Sequence, residues 1–174
     1  ILGILIKLII LIPHAIVLYV LGLVVGLAHL VIWVWVLFGG QYPDWGFSLT
    51  AGYIRWLFRV QAYVYGLSDA YPPFSMDAPG DVYIERPQTS NRFWAIPIIG
   101  IFVKYIILIP HLIVLYALSI AVSACQLVIW AWVLFGGRYP GWAFTLNAGT
   151  LLWTTRVFSY ALGLTDRYPP FSFV

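Results

Sequence analysis

Two long stretches of the chain carry almost no polar side chain. Residues 8–38 contain no Asp, Glu, Lys or Arg, and in residues 93–135 Lys104 is the lone charge. About 20 apolar residues are enough to cross a bilayer core, so each stretch predicts a transmembrane helix. Pro13 and Pro110 stand where proline is tolerated at a helix start, and Gly39-Gly40 and Gly136-Gly137 stand where a helix stops. The first spanning helices are therefore expected at about 13–38 and 110–135, roughly 39 Å long.

A GG(Q/R)YP turn follows each of them. Second helices are expected at about 45–67 and 142–164, again long enough to cross. Residues 1–12 and 94–109 are apolar but carry Lys7 or Lys104, which predicts a short interfacial helix ahead of each spanning pair. The prolines and charges between Ser68 and Arg92, among them Asp69, Asp77, Asp81, Glu85 and Arg86, predict a polar linker in water.

The two halves are copies. A shift of 97 positions aligns residues 6–75 with 103–172 without a gap, and roughly 40 of the pairs are identical. This divides the chain into a first repeat at 1–75, a linker at 76–93 and a second repeat at 94–174. Two crossings per repeat would place both in the same orientation. The expected fold is all-α: a polytopic helical membrane protein of two tandem parallel repeats with two transmembrane helices each.

Composition agrees with a membrane solvent. Hydrophobic residues make up 63% of the 174 and charged ones 9%, far from soluble usage. Nine Trp, twelve Tyr and eleven Phe suit the headgroup boundary. The net charge of +3 is small and scattered, which excludes nucleic acid as a partner. Cys125 is single, so neither an internal disulfide nor a cysteine metal site is expected. Residues 1–38 recur internally without a cleavage-like site, which speaks against a signal peptide.

The order IPH, LFGG(Q/R)YP, an Arg-bearing helix and D(A/R)YPPFS resembles an uncharacterised prokaryotic membrane family, a domain of unknown function often found in tandem. The first repeat departs from the usual wording at Gln41 and Ala70, and the second keeps Arg138 and Arg167. The resemblance implies a repeated membrane unit and brings no activity with it.

Candidate chemistry is sparse. Gly22, Gly26 and His29, with Ser119, Ser123 and Gln126 in the second repeat, form a small-xxx-small face ending in a polar side chain, the pattern of close helix packing in lipid. His29 and Gln126 are also weak candidates as axial ligands to a tetrapyrrole. His14 and His111 follow the helix-starting prolines; headgroup, water or chain hydrogen bonds are expected there, with pigment ligation the lesser reading. Arg59 and Arg156 are expected as interfacial anchors paired with Asp69 and Asp166 just past the helix end.

No nucleophile elbow, zinc-protease, P-loop or dinucleotide motif occurs, and no carboxylate pair falls inside an apolar stretch, so no enzyme is expected. The expected role is a non-catalytic accessory or scaffold subunit in the inner membrane of a prokaryotic cell. Its partners would be the bilayer and other membrane subunits, with an electron-transport or photosynthetic complex as one option. The alternatives are a small transporter or channel and a pigment- or lipid-binding module.

Overall fold

The computed structural model describes residues 6, 7 and 9–173. Four α-helices and one 3-10 turn make up the regular structure among them, with no strand. These are α1 (Ile12–Gly39), α2 (Asp44–Val64), the 3-10 turn (Arg92–Ala95), α3 (Ile99–Gly136) and α4 (Gly141–Ala161). Of the interfacial helix expected at 1–12, residues 6, 7, 9 and 10 are helical and the rest up to residue 8 lie outside the described residues.

The glycine stops behave as glycine chemistry requires. Gly40 and Gly137 adopt φ of 69° and 66°, left-handed values open to residues without a Cβ, and their N–H groups close the last turns onto Val36 and Val133. Pro43 and Pro140, both extended, then set the starts of α2 and α4. Those helices end about three residues before the expected 67 and 164, because Gly66 and Gly163 again turn left-handed.

The expected break at Pro110 is absent. The 38 residues of α3 pass straight through it, so the separate interfacial helix expected at 94–109 is mostly the first part of α3. Proline removes a single N–H from the ladder. The apolar residues ahead of it have every reason to stay helical where no water competes for their backbone groups.

Buried residues trace one narrow stripe on each long helix. On α1 these are His14, Leu18, Val25, His29, Ile32 and Val36; on α3 they continue Leu108, His111, Leu115, Val122, Gln126 and Ile129 at the same spacing. The steps of three, four and seven keep one face inward. That face packs α1 on α2 and α3 on α4, while α2 and α4 pack on each other. The rest of α1 and α3 is exposed and apolar; only 22% of each apolar window is buried. These two helices are long and apolar enough to cross a membrane, and α2 and α4 are not among such helices.

The repeats are antiparallel, which corrects the parallel arrangement expected from sequence. Tyr71, just past α2, lies at Ile10 at the start of α1, and Tyr168 lies at Ile107 early in α3. Yet the end of α2 at Tyr65 also touches Gln126 and Tyr139 at the far end of α3. The end of α4 at Leu162 likewise touches His29 and Tyr42. The start of each long helix therefore lies beside the end of the other. The linker makes this possible by running back along α2, from Phe74 at His14 to Ser90, whose N–H bonds Gly40. It is not a loop at one end.

Candidate functional site

His14 and His111 sit in matching aromatic clamps. The Trp56 indole N–H donates to His14 Nδ1 at 3.0 Å, and Trp153 does the same to His111 at 3.0 Å. Phe74 and Phe171 stack on the imidazoles, both with centroids 3.8 Å apart and planes 15° apart. Tyr71 and Tyr168 close the other side at 5.1 and 4.9 Å. Both imidazoles are fully buried, which replaces the headgroup and water contacts expected for them. An indole N–H can only donate, so each Nδ1 must accept, and a neutral ring then carries its proton on Nε2. The clamp fastens the YPPF segment onto the start of the long helix.

A second pair of constellations lies at the seam between the repeats. The His29 ring N–H or lone pair at Nε2 lies 3.1 Å from Leu162 O and 3.1 Å from the Tyr42 hydroxyl, while Nδ1 lies 2.7 Å from Val25 O. Tyr42 also reaches Thr50 at 3.3 Å. In the second repeat Gln126 and Tyr139 donate to Tyr65 O at 3.3 and 2.9 Å, and Asn147 joins Gln126 to Tyr139 at 3.1 and 2.6 Å. Each repeat thus lends two side chains to a C-terminal carbonyl of the other repeat's short helix, a group that its own helix leaves unpaired. Burial pushes the Tyr42 hydroxyl up to about 12, against a small opposing effect of its Thr50 bond, and raises that of Tyr139. Both therefore stay protonated donors at neutral pH.

Because Gln126 does in one repeat what His29 does in the other, His29→Gln is expected to change stability by less than about 1 kcal/mol, whereas His29→Leu removes one of the two partners of Leu162 O and one of those of Tyr42 and costs about 1–3 kcal/mol. Thermal unfolding of the purified chain in detergent, followed by circular dichroism, checks this; equal effects of the two substitutions would count against the seam.

The arginines do not pair as expected. Arg59 holds Asp81 through two contacts of 2.5 Å and also donates to Ser75 O. Asp69 instead lies 3.8 Å from Lys7, and Asp166 accepts the Asn91 N–H at 2.7 Å. The cause is the returning linker, which carries Asp81 across the Arg59 face. Arg156 donates to Ser172 O at 2.6 Å, the counterpart of the Arg59 bond to Ser75. Arg55, which has Leu152 as its counterpart, pairs with Asp77 at 2.6 Å.

The family model described as Domain of unknown function (DUF4389) matches residues 2–76 and 99–172. The chain belongs to the DUF4389 family. The two matched segments are the two repeats, and the linker is what lies between them. No curated protein and no solved structure matches the chain.

Both DUF4389 repeats use the small-residue face differently from the sequence expectation. Gly22 does pack, since a Cβ there would lie 3.1 Å from the Tyr53 hydroxyl, but a Cβ at Gly26 would meet nothing within 4 Å. Ser119 and Ser123 are exposed, and Ser119 bonds its own helix at Tyr116 O, 2.7 Å away. The inward stripe runs through Val25 and His29, and one residue further on is a turn of about 100° away from it. Gly22→Leu is therefore expected to cost about 1–3 kcal/mol by overpacking against Tyr53, and Gly26→Leu to leave the monomer's stability within about 0.5 kcal/mol, as read by denaturant titration.

Several residues that organise the site were not singled out from sequence: Trp56, Trp153, Tyr42, Tyr139, Asn147 and Asp81. All but Asn147 and Asp81 are identical between the repeats, and that identity was the available signal. A groove of about 390 Å³ lies between linker residues 82–85 and α4, with Thr155, Arg156, Ser159 and Arg167 among its polar walls. Among the described residues, no group of three or more His, Cys, Asp or Glu gathers as a metal ion would need.

Proposed function

We propose that this DUF4389 chain is a non-catalytic, membrane-embedded scaffold: an accessory subunit that packs against a larger assembly in the inner membrane of a prokaryotic cell. One observation carries the reading. Several of the polar side chains drawn into the interior are engaged with each other and with helix ends, as His14 with Trp56 and Gln126 with Tyr65 O, while α1 and α3 turn apolar surface outward. Lipid or other apolar helices are the surroundings such surface fits. Purification from native membranes in mild detergent, with identification of co-migrating proteins, tests the idea. A stable set of membrane partners is the expected result, and a lone monodisperse chain would sink it.

The groove beside α4 favours a second reading, a lipid-binding module, because the guanidinium groups of Arg156 and Arg167, the Glu85 carboxylate and the hydroxyls of Thr155, Ser159 and Thr165 share its walls with apolar residues. Lipid extraction and mass spectrometry of the same sample separate the two: a single retained lipid class at fixed stoichiometry would favour the module.

A further inference from the structure

The path of the linker bears on how the membrane is engaged. Gly22, near the middle of α1, faces Tyr53 of α2, and the neighbouring Gly52 faces Met76 of the linker. Asp77 follows at once; its side chain is 80% exposed and pairs with Arg55. If α1 crossed a bilayer, this non-helical, charged segment would sit at mid-depth on the outside of the molecule. Glu85, 62% exposed, and Arg86 continue it toward the end of α1. Irregular backbone and ionised side chains do not face hydrocarbon; at that depth they are confined to protein interiors or water-filled cavities.

Helix length points the same way. No charged residue occurs between Lys104 and Arg138, and the helical part of that stretch, residues 105–136, is about 48 Å long at 1.5 Å per residue. Crossing a hydrocarbon core of about 30 Å upright would leave roughly 18 Å of this uncharged helix outside it, whereas a helix lying in the plane immerses its whole length. Apart from the buried Lys104 of α3, the charges of the packed helices and linker are gathered on the other elements: Arg55 and Arg59 on α2, Arg156 on α4, and the acids and arginines of the linker. The antiparallel repeats give α1 and α3 equivalent places flanking α2 and α4.

Resting on the membrane reading proposed above, we infer that the chain lies within one leaflet: α1 and α3 are submerged roughly parallel to the membrane plane, and the linker with the arginine faces of α2 and α4 stays at the headgroups and in water. The occupant of the apolar surface is thus a single lipid leaflet. The net charge of +3 suits a leaflet containing anionic lipid. Neither α1 nor α3 has the charged face of its own that in-plane helices carry; here the assembled molecule supplies it, through the linker and the arginines of α2 and α4.

The antiparallel layout supplies a direct test. Gln41, after α1, and Arg138, after α3, are exposed in turns at opposite ends of the molecule. Gln41→Cys and Arg138→Cys are made separately in a Cys125→Ser background of the full chain. Sealed cells, and then lysed ones, are treated with a membrane-impermeant maleimide. One-leaflet placement predicts that the sealed-to-lysed labelling ratios of the two sites agree within about twofold; a spanning chain separates them by about tenfold or more, which overturns the inference and leaves the membrane reading standing. Polarised infrared dichroism of the unsubstituted chain in oriented bilayers gives an independent readout: helix axes near the plane support the inference, and axes near the membrane normal overturn it. Release of the unsubstituted chain from membranes by alkaline carbonate would overturn the membrane reading itself.

Discussion

Asp81→Ala is expected to lower stability by about 3–5 kcal/mol, among the largest effects open to a single change in this chain. The side chains of Arg59 and Asp81 are only 14% and 10% exposed, and the carboxylate also accepts the Ala78 N–H at 2.7 Å. Removing it leaves an enclosed guanidinium that still donates to Ser75 O, and an uncompensated charge in such a place is more costly than the pair is stabilising. The double change Arg59→Leu with Asp81→Leu is therefore expected to be milder than Asp81→Ala alone, since it removes both charges. Denaturant unfolding in detergent measures both. A loss below about 1 kcal/mol for Asp81→Ala would mean that water reaches the pair and that its strength is that of a surface ion pair.

That pair also shows where sequence reasoning reached its limit. Asp69 is the acid closest to Arg59 past the helix end along the chain, and a string of prolines and charges after YPPFS reads as a loop in water. What sends the linker back along α2 is a few apolar contacts inside it. Ile84, only 7% exposed, is buried among Ile32, Val36, Ala51 and Ile54, and Met76 fits against Gly52. Met76 and the three-residue run Val82-Tyr83-Ile84 are too short, in a polar stretch, to show a periodicity. The antiparallel layout follows from that path, which no local pattern announces.

Local punctuation was far more legible. The bounds of α1 fall within a residue of 13–38 because a proline start and a left-handed glycine stop are decided by the backbone of a few residues. Pro110 failed as a boundary although its IPH motif matches Pro13, so the motif does not by itself break a helix. His14 and His111 were noticed, but as ligands or headgroup contacts. Their indole partners are 42 positions away, and only the pairing of two helices brings them together.

The clamps set up the second large effect. Trp56→Phe and Trp153→Phe keep an aromatic ring in place but delete the N–H that each buried imidazole accepts, so each is expected to cost about 1–3 kcal/mol. The two clamps belong to separate core clusters, one around Leu11, Leu18 and Val60 and the other around Leu108, Leu115 and Val157. Their costs should therefore add in the double variant to about 2–6 kcal/mol, with little coupling. Nitrogen-15 spectra of labelled histidine supply a second readout, because loss of the indole donor should move the Nδ1 resonances of His14 and His111 and leave that of His29 in place. Equal costs in the two variants are what matching distances of 3.0 Å demand. A marked inequality would mean that the repeated sequence motif does not carry a repeated energy, and that one clamp has been given over to another use.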